Sequence, residues 1–160
     1  MKIRPATPQD FEGIWPIFQS VLEEGETYSY ASETTKEEAF SIWMETSVAS
    51  YVAEIDSQIV ASYIIRRNRP GRGSHVATTA LIVAADTRHQ GIGRTMGEHC
   101  LQEAKQLGFL AMQCNFVVSS NAVSVKLWQS LGFKIIGTSP KSFRHKRLGL
   151  VDIHIMHRFL

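Results

Sequence analysis

The stretch Arg88-His89-Gln90-Gly91-Ile92-Gly93-Arg94-Thr95 decides how the rest of the chain is interpreted. It follows an apolar run, Leu81-Ile82-Val83, that predicts the end of a buried strand, and it precedes a long segment with helical periodicity. The first N–H groups of a helix have no intrahelical partners, and the helix dipole favours negative charge there. A strand, a basic glycine turn and a helix start therefore predict a site for a phosphate-bearing ligand.

The residues of this turn favour an anion but leave an alternative open. Gly91 and Gly93 let the main chain approach a ligand closely, while Arg88, His89 and Arg94 add charge and hydrogen bonds. Two glycines that simply ease a strand-to-helix turn would give the same pattern. No Gly-Lys-Ser/Thr follows, and a third glycine and a later acidic ribose partner are missing. Nucleotide hydrolysis and hydride transfer are therefore disfavoured.

Length and composition indicate an ordinary soluble protein. The chain has 160 residues, the size of one domain, which we place at 1–160. Hydrophobic residues make up 44% and charged residues 20%, and the net charge of +2 argues against a dedicated nucleic-acid surface. No apolar run approaches the roughly 18–20 residues that span a bilayer, and no leader pattern opens the chain. We therefore expect a cytoplasmic protein without a membrane partner.

The two cysteines predict no special chemistry. Cys100 falls in a predicted helix and Cys114 in a predicted strand, which indicates buried thiols rather than a disulfide framework or a metal site. No motif places a histidine beside either of them, so neither is expected to be a nucleophile. We expect no bound metal.

Hydrophobic periodicity predicts the element order β-α-α-β-β-β-α-β-α-β-β. The predicted strands are residues 2–6, 50–55, 58–67, 75–84, 110–118, 133–138 and 150–159. The predicted helices start after Thr7, near Thr35, at Ile92 and at Asn121, and a basic turn at residues 141–147 joins the last two strands. This order predicts the α/β (α+β) class, with a mixed sheet covered by helices rather than a doubly wound parallel sheet.

Two loops are candidates for ligand contacts. The loop Glu26-Thr27-Tyr28-Ser29-Tyr30 either lines a substrate pocket or is a solvated connection with its two tyrosines packed down. The loop at residues 66–73 carries four arginines, and it either guides an anionic ligand or is a solvated loop.

Three further motifs give the chain a resemblance to a known family. They are Asn121-Ala122, Lys126-Leu127-Trp128 and Leu131-Gly132-Phe133, which begin some thirty residues after the glycine turn Arg88-x-x-Gly91-x-Gly93. With the element order, they resemble the GNAT superfamily of N-acetyltransferases over nearly the whole chain. The resemblance implies a mostly antiparallel seven-stranded sheet with about four helices, splayed between strands 4 and 5.

The same resemblance implies acetyl-CoA as the acetyl donor. Its pyrophosphate would bind the backbone from Arg88 to Thr95, and its pantetheine arm would run beside Leu81, Ile82 and Val83. Asn121 would bond the pantetheine, a role that is compatible with capping the following helix.

A narrower similarity concerns the acceptor. Residues 69–75, together with Asn115 and Asn121, are similar to fungal acetyltransferases that act on proline analogues such as azetidine-2-carboxylate. By that similarity an asparagine from the fourth strand lies near the amine, and the nearest position here is Thr78. This departure argues against an identical substrate.

Acetyl transfer requires a neutral amine, whereas an amine with a pKa of roughly 8 to 10.4 is mostly protonated at neutral pH. No carboxylate is marked out as the base by its spacing. The candidates are His75, Glu26 and a water held by Asn115 or Thr78, and His75 is equally well explained as a strand-edge histidine. A main-chain N–H near Val83 would bond the carbonyl oxygen as negative charge develops.

The leaving thiolate raises a separate question at Trp128. Many members of the superfamily carry a tyrosine at this position, and an indole N–H cannot replace a phenol as an acid. Ser124, one turn earlier, either relays a proton or is a surface serine. Trp128 is expected to pack against the pantetheine end or in the core.

Three functions follow from these patterns. The first is acetyl-CoA-dependent N-acetylation of a small amine or amino acid by direct attack in a ternary complex. The second is a CoA-binding regulatory or structural domain without turnover, and the third is transfer to a protein amine. Sheets of this kind usually leave an edge or helix face exposed, so a homodimer is also expected.

Overall fold

The computed structural model describes all 160 residues, and its strands and helices follow the predicted order. The strands are β1 (Lys2–Pro5), β2 (Ala49–Ile55), β3 (Gln58–Arg67), β4 (Val76–Val83), β5 (Ala111–Val118), β6 (Lys134–His145) and β7 (Gly149–Phe159). The α-helices are α1 (Phe11–Glu24), α2 (Lys36–Phe40), α3 (Ile92–Gln106) and α4 (Ala122–Ser130). The predicted seven-stranded mixed sheet with four helices is confirmed.

The sheet is splayed at its centre. Its strand order is β1-β2-β3-β4-β5-β7-β6, and every neighbouring pair is antiparallel except β4 and β5. The parallel β4–β5 ladder has only two residue pairs, Val76 with Ala111 and Ala77 with Met112. Beyond these pairs the two strands separate, which confirms the predicted splay and opens a gap through the middle of the sheet.

The two faces of the sheet carry different helices. Ala80 and Ile82 of β4 pack with α1 and with the turn after α2, whereas Leu81 and Val83 pack toward α3 and α4. This alternation follows from the two-residue period of a strand. Each side chain of β4 thereby lines either the α1 compartment or the α3–α4 compartment of the molecule.

None of the helices combines the length and the apolar character that crossing a membrane requires.

Local sequence signals set the helix ends as predicted. Thr35 caps α2, because its Oγ1 accepts a hydrogen bond from the N–H of Glu38 at 3.2 Å and the Glu38 carboxylate accepts the N–H of Thr35 at 2.8 Å. Gly25 ends α1 in the left-handed conformation, with φ of 62°. Both cysteines are free and buried.

The C-terminal hairpin differs from the prediction. β6 extends to His145, so the predicted strand end at 138 and the predicted turn at 141–147 are wrong, and the turn occupies residues 146–148. The ladder with β7 shifts register between Ser139 and Phe143, around Pro140 and a left-handed Lys141. A polar segment with a proline is typical of a loop, but an edge strand tolerates it as an irregularity.

Candidate functional site

A cavity of about 990 Å³ follows the gap between β4 and β5. It is lined by all the predicted site residues except His75, Gln90 and Thr95. His75 is exposed just before β4, at the end of that strand farthest from the glycine turn, so the structure does not bring this candidate base to the cavity. Gln90 is exposed at the turn, and Thr95 bonds the Gly91 carbonyl through its own N–H at 3.1 Å.

The glycine turn presents a row of main-chain donors. The amides of residues 89–94 make no hydrogen bond within the protein, since the first helical bond of this segment belongs to Thr95. His89 and Gly91 have positive φ of 65° and 79°, and such a conformation turns successive N–H groups toward one concavity. Unpaired amides at the start of a helix suit an anionic ligand, and a diphosphate fits the donor set.

The arginines of this turn are already paired. Arg88 Nη2 lies 2.8 Å from Glu24 Oε1, and Arg94 Nε lies 2.9 Å from Glu98 Oε1. The uncompensated positive potential therefore comes mainly from the main chain. Arg88 also connects the turn to the end of α1, which no sequence pattern indicated.

Tyr28 is bonded to the main chain of β4 inside the gap. Its hydroxyl donates to the Leu81 carbonyl at 2.8 Å and accepts from the Leu81 N–H at 3.0 Å. Burial raises the pKa of Tyr28 far above its ordinary value, so the phenol stays neutral. The loop between α1 and α2 thus lines the cavity rather than being a mere solvated connection.

The alternation of β4 leaves another amide pointing into the gap. Ala84 donates to Val60 of β3, so the N–H groups of the odd-numbered residues face the side from which β5 has separated. Leu81 is one of them and is taken by Tyr28, whereas Val83 lies two residues further toward the glycine turn. Val83 is therefore the main-chain donor that best matches the sequence prediction.

A cluster of polar side chains lines the cavity toward the N-terminal end of β4, on the face of the sheet that packs against α1. Asn115 Nδ2 donates to Asn68 Oδ1 at 2.6 Å and to Thr78 Oγ1 at 3.3 Å, and its Oδ1 accepts from Gln113 Nε2 at 2.7 Å. Asn115 lies in the middle of β5, which continues through Val118 after a register shift against β7. Asn68 was missed by sequence reasoning.

The start of α4 lines the cavity from the other face of the sheet, the face that Leu81 and Val83 share. Asn121 caps this helix, and its Oδ1 accepts the N–H of Ser124 at 3.0 Å, which confirms the capping prediction. Trp128 is 6% exposed and packs edge-to-face on Phe133 with ring centroids 5.1 Å apart. Its ring therefore belongs to the core while one side of it lines the cavity.

His145 is a lining residue that sequence reasoning missed. Its Nδ1 accepts the N–H groups of Arg147 at 3.1 Å and Leu148 at 3.3 Å, so the neutral ring carries its proton on Nε2. Nε2 lies 4.0 Å from Glu26 Oε2, and Arg147 Nη2 lies 2.7 Å from Glu26 Oε1. Glu26 is thus paired with Arg147, and the His145 ring lies beside this pair without a direct hydrogen bond to it. The sequence did not indicate His145 as a site residue because the predicted boundary of β6 was wrong and placed His145 in a turn.

The sequence model of the acetyltransferase (GNAT) family matches residues 12–133. The chain belongs to this family. A GCN5-related N-acetyltransferase from Kribbella flavida is 42% identical and superposes with a TM-score of 0.95 over 99% of this chain and 97% of that one. N-acetyltransferase aca1 from Schizosaccharomyces pombe is 30% identical over 84% of this GNAT chain and 72% of its own length. The protein is thus an N-acetyltransferase of the GNAT family, and the predicted family is confirmed.

The GNAT fold is also found in yncA from Salmonella typhimurium, a structure solved with its cofactor acetyl-CoA. It has a TM-score of 0.87 and 20% identity, and the alignment covers 100% of this chain and 94% of that one. At this identity the likeness concerns the fold alone.

Proposed function

We propose that this GNAT protein transfers an acetyl group from acetyl-CoA to the amine of a small molecule. The free main-chain amides of residues 89–94 support the donor, because they match the oxygens of a diphosphate. The gap between β4 and β5 supports an extended arm that reaches from this turn to the polar cluster around Asn115.

The observation that carries the choice of a small acceptor is the wall formed between α1 and the β6–β7 turn. The N–H of Lys146 donates to the Gly25 carbonyl at 3.0 Å, and its Nζ donates to the Glu23 carbonyl at 2.9 Å. The ion pair of Arg147 with Glu26 continues the same wall. A protein amine requires an open groove on this side, whereas a small amine fits behind a closed wall.

The residues of the cavity have separate roles in this reaction. Acetyl-CoA, when bound, supplies a thioester whose carbonyl carbon is attacked while its thiol leaves. The Val83 N–H bonds the carbonyl oxygen as its negative charge develops. Thr78 and Asn115 orient the amine, and Glu26, paired with Arg147, takes up the proton that the amine loses. The C–N bond forms as the C–S bond breaks, and the electron pair leaves on sulfur.

The leaving group needs little help from this chain. A thiol has a pKa of about 8.5, so its thiolate is a tolerable leaving group. Trp128 cannot protonate it, but the Ser124 hydroxyl lines the same wall and is free to donate a hydrogen bond, since the capping bond uses its main-chain N–H.

Release of free thiol from acetyl-CoA across a panel of small amines and amino acids tests the proposal. We expect turnover with at least one acceptor, together with an N-acetyl product detected by mass spectrometry. Tight CoA binding without turnover for any acceptor would instead identify a regulatory CoA-binding domain. Faster turnover of a lysine peptide than of every small amine would instead favour acetyl transfer to a protein amine.

A further inference from the structure

The charged side chains that line the cavity are unequally compensated. Both of its carboxylates are paired, Glu24 with Arg88 at 2.8 Å and Glu26 with Arg147 at 2.7 Å. Arg66 and Arg67 also line the cavity, and no carboxylate lies within ion-pair distance of either guanidinium. The cavity therefore contains a positive charge that the protein itself does not neutralise.

The surroundings of Arg66 hold its guanidinium in place but leave most of its N–H donors without a hydrogen-bond acceptor. Its Nη2 donates to the Tyr30 hydroxyl at 3.3 Å, and this neutral phenol is its one side-chain partner in the protein. The residue is partly buried at the end of β3. A guanidinium has five N–H donors in a planar fork, so most of the fork is free to bind a ligand.

Arg66 lies beside the polar cluster rather than beside the glycine turn. It is directly opposite Thr78 in the β3–β4 ladder, and opposite residues of an antiparallel pair share one face of the sheet. Thr78 accepts a hydrogen bond from Asn115, so the cation, the hydroxyl and the amide line the same compartment. Arg67 also lines the cavity, but it follows on the other face of the sheet and is exposed, away from Thr78 and Asn115.

The distance along β4 separates Arg66 from the phosphate site. Thr78 and Val83 are five residues apart in this strand, which corresponds to about 16 Å, and the glycine turn lies beyond Val83. An anion on the amides of residues 89–94 is therefore out of reach of the guanidinium. The anion that Arg66 would bind must belong to the other substrate.

We propose that the acceptor amine carries a carboxylate and that Arg66 binds it, an inference that rests on the proposed acetyl transfer. A planar carboxylate matches the fork of a guanidinium with two parallel hydrogen bonds. With the carboxylate on Arg66, the amine of a short acceptor lies beside Thr78 and Asn115. The exposed Arg69 and Arg72 on the adjoining loop add attraction at long range but do not line the cavity.

A comparison of matched acceptors tests this assignment. Each amino acid is assayed beside its carboxamide, which keeps the amine and removes the charge, and the fastest pair is carried forward. We expect the wild-type kcat/KM to favour the carboxylate by about 10- to 100-fold, the range for a hydrogen bond to a charged group. In Arg66→Gln this ratio should fall to about one, with the affinity for CoA unchanged, and Arg66→Lys should keep part of it.

Arg72→Gln is the matched control, because it removes an equal charge from the adjoining loop, outside the cavity. It should keep the wild-type ratio. Equal turnover of carboxylate and carboxamide in the wild type, or an unchanged ratio in Arg66→Gln, would overturn the inference while leaving the proposed acetyl transfer intact.

A binding measurement tests the role of Arg66 in carboxylate recognition even if no acceptor is turned over. In the presence of CoA, N-acetylamino acids should raise the melting temperature of the wild type more than their amides do, and Arg66→Gln should abolish this difference. Absence of thiol release with every acceptor would count against the proposed function, whereas an equal shift by acid and amide would count against the role of Arg66.

Discussion

The two ends of β4 line one cavity in different ways. At the C-terminal end, one continuous segment presents its main-chain amides at residues 89–94. Toward the other end, the wall is made of side chains from separate elements, such as Arg66, Thr78 and Asn115. The first end depends on backbone conformation, and the second depends on the identity of each side chain. Changes at the first should therefore alter donor binding, and changes at the second should alter acceptor use.

The largest expected effect is at the glycine turn. Gly91→Glu places a carboxylate beside the amides that would hold the diphosphate, and we expect the affinity for CoA to fall about 100-fold in titration calorimetry. Gly108→Glu is the matched control, because Gly91 and Gly108 have φ of 79° and 85° and an added Cβ meets nothing within 4 Å at either site. Equal CoA affinity in the two variants would refute the diphosphate site.

The reciprocal change is Asn115→Ala. It removes an amide that connects Asn68, Gln113 and Thr78, so the acceptor compartment loses its fixed geometry. We expect kcat/KM for the best acceptor to fall about 30-fold, since misplacing reacting groups is costly, while calorimetry with CoA gives the wild-type affinity. A parallel loss of CoA affinity would show that the two ends are not separable.

Tyr28→Phe tests the bond between the α1–α2 loop and β4. The substitution leaves the Leu81 N–H and carbonyl without their partner, so we expect a loss of about 1.5 kcal/mol in the free energy of unfolding. Chemical denaturation measures it. Tyr30→Phe is the control, because its hydroxyl only accepts a 3.3 Å bond from Arg66, and its stability should be close to that of the wild type.

The smallest expected effect on catalysis is at Asp10, remote from the cavity. Hydrogen bonds from Arg4 hold the pKa of this carboxyl well below its usual range. A folded-state pKa below the unfolded value stabilises the protein above pH about 4, and the contribution disappears as the pH falls further. We expect Asp10→Asn to cost about 1 kcal/mol at pH 7, with a difference from the wild type that shrinks steadily as the pH is lowered below about 4, and to keep wild-type kcat/KM. A stability difference that grows on acidification would contradict this assignment.

The same comparison explains what the sequence could predict. The glycine turn is local, so its strand, its glycines and the following helical periodicity lie within one short window. Arg66 and Asn68 belong to the basic segment 66–73, for which the sequence left open either guiding an anionic ligand or a solvated loop, because their neighbours are fixed only by the β3–β4 register and by the packing of β5. His145 was missed because a proline obscured the true length of β6. The fold was thus largely predictable, whereas the acceptor wall depended on long-range pairing.

The irregular edge strand has a consequence for how the chain behaves at high concentration. β6 has an unpaired side, and exposed Ile135 and Ile136 would otherwise invite strand addition from another molecule. The shift around Pro140 and Lys141 interrupts its row of backbone donors and acceptors, and the opposite edge, β1, is only four residues long and ends in Pro5. Neither edge strand offers a long, regular row of backbone groups on which another chain could add a strand. The folded chain is therefore protected against open-ended cross-β aggregation.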